Sequence, residues 1–205
     1  MKSNSQPTSF VELKHKVYEI YKLREQNFLQ VHDEAPSGIW EVNEDFLLSM
    51  VNLFSKTNVK SIETGCGLST AVIANLGWKH TCIAPDKMEF TRLKKWLKTS
   101  KISTRRVKFI ESESYKIVPS IKGEFDFILI DGNHGFPHPV VDTFYLSLKL
   151  RVGGFLAIDD ANLPFMNTLI ESLNQKKYWE VYATGGKWVI YQLIGPNTSA
   201  VDDWI

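Results

Sequence analysis

Residues 179–194 read WEVYATGGKWVIYQLI, two runs rich in β-branched and aromatic side chains with only two residues between them. The runs are Trp179 to Thr184 and Lys187 to Ile194, and the linking residues are Gly185 and Gly186. Because glycine adopts positive φ readily, a Gly-Gly pair favours a two-residue hairpin turn. We therefore predict a closing β-hairpin whose last strand is antiparallel to its neighbour.

Short apolar runs that alternate with amphipathic segments of helix length precede this hairpin. The predicted strands are Lys60 to Glu63, Thr81 to Ala84, Val107 to Ile110, Phe125 to Ile130 and Phe155 to Ile158. The predicted helices cover about 70–76, 87–100, 115–121, 139–150 and 164–176. Parallel neighbours need long crossovers, and both faces of their sheet must be covered. The alternation therefore predicts a parallel sheet with helices on both faces.

Two further helices are predicted before the first strand. Apolar residues recur at spacings of three and four over 10–32, and a second apolar face runs over about 42–56. The turn-forming segment Ala35-Pro36-Ser37-Gly38 follows the first of them. We predict an N-terminal helical arm or lid over residues 1–38 and an α/β domain over 39–205, with the arm also a candidate dimerisation surface for a homo-oligomer.

Five βα units closed by an antiparallel hairpin resemble the class I S-adenosylmethionine-dependent methyltransferase fold, over about Trp40 to Ile194. The resemblance implies an α/β, doubly wound, Rossmann-like fold with a mostly parallel seven-stranded sheet and S-adenosyl-L-methionine as cofactor. A dinucleotide-binding domain normally continues with βα units instead. Its glycine fingerprint also requires Gly or Ala where this chain has Thr70.

The segment Ile62-Glu63-Thr64-Gly65-Cys66-Gly67-Leu68-Ser69-Thr70 lies where the first strand turns into a helix. Gly65 and Gly67 allow a tight turn and close approach of a ligand, and Ser69 or Thr70 can cap the helix. The free N–H groups at such a helix start suit an anion, here the methionine carboxylate of the cofactor. The resemblance assigns Glu63 to the methionine end of the cofactor. A tight turn without a ligand is the alternative.

Two more cofactor contacts are predicted after the second and third strands. Asp86 lies where an acid would accept hydrogen bonds from the ribose hydroxyls, although it is equally suited to cap the helix that starts at Lys87. Ser112 follows the third strand, where this fold borders the adenine. Both assignments depend on the carboxyl ends of the strands forming the ligand edge of the sheet.

Three carboxylates follow the fourth and fifth strands. Asp131 ends the run Phe127 to Ile130 and is followed three residues later by His134, and Asp159 and Asp160 end the run Phe155 to Ile158. Neighbouring strand ends lie about 5 Å apart, so we expect these acids to converge. Clustered carboxylates repel unless a cation lies between them, and oxygen ligands favour Mg²⁺ or another hard divalent cation. Capping of the following helices is the alternative.

With Glu63-x-Gly65-x-Gly67-x-Ser69-Thr70, Asp131-Gly132-x-His134, Gly153-Gly154 and Asp159-Asp160, the chain resembles metal-dependent sugar and macrolide O-methyltransferases of the cephalosporin hydroxylase-type family. It is more distantly similar to catechol O-methyltransferase. The resemblance implies Asp131, Asp159 and Asp160 as Mg²⁺ ligands, with Asp131 also beside the cofactor and His134 as the base. The implied reaction is methylation of a small-molecule hydroxyl on a sugar diol or catechol-like compound.

Composition excludes several other partners. The 24 Lys and Arg against 23 Asp and Glu leave a net charge of +1, so no overall field favours nucleic acid or an anionic membrane. Cys66 and Cys82 lack CxxC spacing and are predicted to be free thiols of a cytoplasmic protein. A non-catalytic or metal-independent S-adenosylmethionine-binding protein is the alternative function, and a nicotinamide-dependent enzyme is a third.

Overall fold

A computed structural model of the chain describes residues 9–32, 42–54 and 58–196. The strands are β1 Lys60–Thr64, β2 Lys79–Ala84, β3 Val107–Glu111, β4 Phe125–Ile130, β5 Leu150–Asp159, β6 Trp179–Thr184 and β7 Trp188–Leu193. They form one sheet in the order β3-β2-β1-β4-β5-β7-β6. The first five strands pair in parallel, and β7 is antiparallel to both β5 and β6. The predicted fold class and the closing hairpin are confirmed.

Helices cover both faces of this sheet. They are α1 Phe10–Gln26, α2 Glu44–Asn52, α3 Leu68–Leu76, α4 Lys87–Thr99, α5 Ser114–Ile117, α6 His138–Ser147 and α7 Pro164–Asn174, and a 3₁₀ turn Val118–Ser120 follows α5. The predicted helix at 115–121 is thus a short helix and a 3₁₀ turn. Pro119 explains part of the difference, because proline has no N–H to continue an α-helix.

The first helix is shorter than predicted and ends at Gln26. Beyond it the chain lies against α4, where Trp96 Nε1 donates to the Asn27 carbonyl at 2.6 Å and an Arg92 guanidinium nitrogen donates to the Val31 carbonyl at 2.8 Å. Leu29 is buried and Phe28 is exposed, an alternation typical of extended chain. The apolar residues after Gln26 therefore belong to an extended segment that the helical period misassigned.

The N-terminal helices pack onto one face of the sheet together with α3 and α4. Leu13, Val17 and Ile20 of α1 are buried in that core, and α1 contacts both α2 and α3. Lys16 Nζ donates to the Asn75 carbonyl at 3.2 Å, and Asn75 Nδ2 donates to the Lys16 carbonyl at 3.0 Å. The predicted boundary between 38 and 39 lies outside the described residues.

The opposite face of the sheet is covered by α6 and α7, which bury Leu146, Met166 and Leu169 against β4, β5 and β7. The order of the strands places β1 beside β4, the point where the chain reverses its direction of winding. Ligands of doubly wound sheets bind at the carboxyl ends of the strands at this point. In the described ranges no helix is both long and apolar enough to cross a membrane.

Candidate active site

A cavity of about 570 Å³ lies at the carboxyl edge of the sheet. Of the residues predicted for the site, its wall includes Gly65, Gly67, Ser69, Asp86, Asp131, His134 and Asp160. Glu63, Thr70, Ser112 and Asp159 are not part of this wall. Small-molecule sites have volumes of about 300 to 1,000 Å³. The cavity is therefore large enough for a nucleoside-sized cofactor and part of a second small molecule.

The glycine loop between β1 and α3 needs glycine at its first position for reasons of backbone geometry. Gly65 has φ +94°, and a Cβ atom there would lie 2.2 Å from the carbonyl oxygen of Asp131. Its N–H donates to the Ile83 carbonyl at 2.8 Å, and the Asp131 N–H donates to the Thr64 carbonyl at 3.1 Å. The loop is thus held tightly against the ends of β2 and β4.

Gly67 differs, because its φ of 174° is extended and a Cβ there would meet no atom within 4 Å. The residue lies on the cavity wall at the start of α3, followed by Leu68 and Ser69. The first N–H groups of a helix have no partner within the helix and attract anions. The backbone therefore does not require glycine here, and its smallness instead leaves room for a ligand at the helix start.

Glu63 is completely buried, and it supports the glycine loop from within the fold. Ser69 Oγ donates to one carboxylate oxygen at 2.7 Å, while Thr70 Oγ1 and His80 Nε2 contact the other. Thr70 Oγ1 also accepts from the Gly67 N–H at 3.1 Å. The structure thus places Glu63 beneath the loop that forms the cavity wall, and Thr70 ties that loop to the carboxylate.

His80 is a site-supporting residue that sequence reasoning missed. Its Nδ1 lies 2.9 Å from Ser61 Oγ, and its Nε2 lies 3.0 Å from a Glu63 oxygen. Ser61 and His80 are register partners in the pairing of β1 with β2. His80 directly precedes the predicted strand Thr81 to Ala84, and this position beside a buried strand was the available signal, because a buried imidazole needs polar partners.

Asp86 is confirmed as the cap of α4, and its contact with ribose hydroxyls stays a prediction. Its side chain accepts from the Met88 N–H at 2.7 Å, which caps α4, and the residue also lies on the cavity wall. Ser112 instead donates to the Glu113 carbonyl at 3.1 Å, and the wall at this point is formed by Glu113 and Ser114. The structure therefore moves the polar contact after β3 two residues along the chain, to Ser114.

Ser114 is held by a buried carboxylate for which the sequence suggested no role. Its Oγ donates to Asp142 Oδ2 at 2.8 Å. Burial raises the pKa of Asp142 to about 6, although the hydrogen bond from Ser114 and the charge of His138 oppose the rise. Because the Ser114 proton points to Asp142, the hydroxyl oxygen is left to accept hydrogen bonds on its other side.

The three predicted carboxylates do converge at the ends of β4 and β5. Burial raises the pKa of Asp131 well above its usual range, and the charges of Asp159, Glu63 and Asp160 add to the rise. Burial also raises the pKa of Asp159, against the opposing effect of the Lys187 charge. The site is therefore acidic and crowded, as the strand ends suggested.

A lysine that the sequence analysis did not single out lies beside this cluster. Lys187 Nζ is 3.6 Å from Asp159 Oδ2 and 3.5 Å from Asp160 Oδ1. Burial lowers its pKa, but Asp159, Asp160 and Asp131 outweigh that effect, and the pKa is raised. Sequence reasoning placed residue 187 at a strand end, but only the pairing of β7 with β5 brings the ammonium to the acids.

His134 lies on the cavity wall with its two ring nitrogens in different surroundings. Its Nδ1 is 3.6 Å from Asp160 Oδ2. Its Nε2 is buried and has no hydrogen-bond partner within the described part of the chain. A buried polar atom without a partner is rare and points to a ligand or a reacting group. The arrangement leaves Nε2 for a ligand or a reacting group, while Nδ1 faces the Asp160 carboxylate.

The same geometry does not suit a divalent metal. Mg²⁺ requires octahedral geometry at about 2.0 to 2.1 Å, with one or two carboxylates as protein ligands and waters completing the shell. Across residues 9–32, 42–54 and 58–196, no three His, Cys, Asp or Glu side chains are arranged to hold an ion. The Lys187 ammonium already faces Asp159 and Asp160 and offsets one of their two negative charges. The predicted ligand roles of Asp131, Asp159 and Asp160 therefore have no support in this arrangement.

Comparison with protein families places this site in a known context. The profile of a family described as "Methyltransferase domain" matches residues 62–161. The match begins in β1 and ends just after Asp160, so it spans the glycine loop, Asp131, His134 and the acidic pair. No curated protein matches the sequence.

Solved structures share the fold at low identity. A Staphylococcus aureus protein assigned as a caffeoyl-CoA O-methyltransferase has a TM-score of 0.66 and 15% identity, with 89% of this chain and 96% of that one covered. The S-adenosylhomocysteine-bound Podospora anserina methyltransferase PaMTH1 has a TM-score of 0.63 and 15% identity, covering 94% and 91%. Cofactor-bound Rv0187 from Mycobacterium tuberculosis has a TM-score of 0.65 and 12% identity, covering 88% and 90%.

Proposed function

Because residues 62–161, which carry the glycine loop and the acidic pair, match the methyltransferase-domain profile, we propose that this chain is a class I S-adenosylmethionine-dependent methyltransferase that methylates a hydroxyl oxygen of a small molecule. The observation that carries the proposal is His134, whose buried Nε2 has no partner in the described residues and whose Nδ1 faces Asp160. A hydroxyl is a weak nucleophile that needs a nearby base. Likeness in fold to a protein assigned as an O-methyltransferase agrees with this reaction class.

The cavity offers complementary groups to each part of S-adenosylmethionine. The start of α3 at Gly67 to Ser69 suits the carboxylate, and Asp86 suits the ribose hydroxyls. Asp131 suits the positively charged end of the cofactor. The bound cofactor supplies a methyl group on a positively charged sulfur. Ser114 and Glu113, rather than Ser112, are the polar residues at the wall after β3.

His134 is proposed as the general base. As the new oxygen–methyl bond forms and the sulfur–methyl bond breaks, the hydroxyl proton moves to Nε2 of His134. Asp160, 3.6 Å from Nδ1, stabilises the resulting imidazolium. The products are a methyl ether, S-adenosylhomocysteine and a proton that His134 later releases to solvent. A positioned base of this kind contributes about 10²- to 10⁴-fold to the rate.

Magnesium dependence, which the sequence predicted, is not used in this mechanism, because the carboxylate arrangement does not fit the ion. The argument for a chelated diol or catechol depended on that ion. The acceptor class is therefore kept at a small-molecule hydroxyl, and diols and catechols are its first test compounds. A nucleic-acid acceptor has no support, since a net charge of +1 gives no overall attraction to a phosphate backbone.

The proposal is tested by following S-adenosylhomocysteine release over a panel of sugars, catechols and simple alcohols. In His134→Gln we expect turnover to fall about 10²-fold or more, while calorimetric affinity for S-adenosylhomocysteine changes little. His15→Gln is the matched control, because His15 is exposed on α1. Wild-type turnover in His134→Gln would remove the proposed base. Cofactor binding by the wild type without turnover on any compound would favour the non-catalytic alternative.

A further inference from the structure

The position of Lys187 is set by backbone hydrogen bonds on both sides of the hairpin end. Trp188 pairs with Asp159 in the antiparallel register of β7 with β5. The Ala161 N–H donates to the Lys187 carbonyl at 2.8 Å, and the Gly185 N–H donates to the Trp188 carbonyl at 2.9 Å. Strand pairing thus fixes the backbone of Lys187, and its side chain begins beside the end of β5.

From this position the ammonium is almost equally distant from two adjacent carboxylates. Lys187 Nζ lies 3.6 Å from Asp159 Oδ2 and 3.5 Å from Asp160 Oδ1. Asp159 is 1% exposed, so its charge is poorly screened by water. Neighbouring carboxylates in such surroundings need a positive charge between them. Lys187 provides that charge from within the chain.

Asp160 connects this pair to the proposed base. Its Oδ1 faces Lys187 and its Oδ2 faces His134 Nδ1 at 3.6 Å. Asp160 has φ +49°, an uncommon value for a residue with a side chain. The Asp160 carbonyl accepts from the Leu163 N–H at 2.9 Å, which holds this turn. The three side chains form a row in which Lys187 orients the carboxylate that faces His134.

We propose that the Lys187 ammonium is the resident cation of the acceptor site and occupies the place that a divalent metal would take. The inference rests on the proposed function only in assigning His134 as the base. Lys187 then acts as a positioning residue that holds Asp160 against His134, and methyl transfer requires no added metal. The ammonium lies within 3.6 Å of both Asp159 and Asp160 and offsets one of their two negative charges, without the octahedral ligand shell that Mg²⁺ requires.

The direct test uses Mn²⁺ as a spectroscopic probe and needs no acceptor. Electron paramagnetic resonance would measure Mn²⁺ binding to wild type, Lys187→Met and Lys177→Met, each with and without S-adenosylhomocysteine. Lys177→Met is the matched control, since Lys177 is exposed after α7. In Lys187→Met we expect the Mn²⁺ dissociation constant to fall at least about tenfold below the wild-type value, because three carboxylates lose their internal cation.

Two results would overturn the inference. One is tight Mn²⁺ binding by the wild-type protein, and the other is a Lys187→Met variant that gains no affinity over wild type. Lys187→Gln is a second neutral variant should the methionine disturb folding, which circular dichroism would reveal. The wild-type titration by itself keeps the inference falsifiable, since tight Mn²⁺ binding there contradicts it.

Activity measurements separate this inference from the proposed function. With an active acceptor, wild-type turnover should be unchanged by EDTA, and Lys187→Arg should retain more turnover than Lys187→Met. Loss of wild-type turnover in EDTA with recovery in Mg²⁺ would overturn the role of Lys187 while methyl transfer stands. If no acceptor is turned over, methyl transfer fails as a function and the Mn²⁺ titrations still decide the role of Lys187.

Discussion

Glu63 and Asp159 are two carboxylates buried at strand ends of one sheet, and they differ in how the protein satisfies them. Both oxygens of Glu63 are occupied, by Ser69 on one side and by Thr70 and His80 on the other. Asp159 has Lys187 3.6 Å from Oδ2, and its Oδ1 has no hydrogen-bond partner among the described residues. The first carboxylate is complete within the fold, and the second is not.

The difference separates a region built for stability from a region built for chemistry. Buried polar groups in native proteins are nearly always paired, and an exception is completed by water, a ligand or a reacting group. Around Glu63 the hydrogen bonds hold the glycine loop in place. Around Asp159 the partners are charges at 3.5 to 3.6 Å, and His134 has a buried nitrogen without a partner in the described ranges.

The largest expected effect on stability comes from removing the Glu63 carboxylate, both of whose oxygens have partners. Glu63→Ala should lower the free energy of unfolding by about 3 to 5 kcal/mol, because Ser69, Thr70 and His80 are left buried without their acceptor. Asp159→Asn should change the free energy of unfolding by about 1 kcal/mol or less, since the substitution removes a carboxyl group whose pKa is raised by burial. Urea unfolding of both variants would measure this. Equal losses would abolish the distinction between the two regions.

A second pair of variants compares Gly65 and Gly67, the two glycines of the loop that Glu63 supports. Gly65→Ala should cost about 2 to 3 kcal/mol, because its positive φ and the nearby Asp131 carbonyl leave no room for a Cβ. Gly67→Ala should leave stability within about 0.5 kcal/mol but weaken S-adenosylhomocysteine binding about tenfold, as its Cβ would enter the cavity. Thermal unfolding and calorimetry check the two parts, and unchanged affinity in Gly67→Ala would contradict the assignment of the helix start.

Asp142 is intermediate between Glu63 and Asp159, because its Oδ2 accepts from Ser114 and its Oδ1 has no hydrogen-bond partner among the described residues. Its folded-state pKa of about 6 lies above the ordinary value of 3.8. The folded protein therefore holds this proton more tightly than the unfolded chain. The resulting stability is present below about pH 4 and is lost as pH rises through 6.

Asp142→Asn should remove this part of the pH dependence, so that stability falls about 1 to 2 kcal/mol less between pH 4 and 7 than in the wild type. Unfolding free energies measured at several pH values would show it. Asp45→Asn, at an exposed position on α2, is the control. A wild-type slope that persists in Asp142→Asn would assign the pH dependence to other groups.

Much of the candidate site was predictable because it follows strand ends. Asp131, Asp160 and His134 meet at one cavity, as expected from their positions after apolar runs. Ser112 does not lie on the cavity wall, whereas Ser114 does, because the turn after β3 directs the Ser112 hydroxyl to the Glu113 carbonyl. The length of α1 was overestimated, since apolar residues of an extended segment continued its period by coincidence.

The sequence by itself determined the order of strands and helices, the hairpin at Gly185-Gly186, and the glycine and carboxylate positions at the ligand edge. Those features depend on local periodicity, turn chemistry and chain order. Only the tertiary structure decided which charges face one another. Lys187 meets Asp159 and Asp160 through the register of β7 on β5, and His80 meets Glu63 through the register of β2 on β1. Register between distant segments sets which side chains are neighbours, because a shift of one residue turns every side chain to the other face.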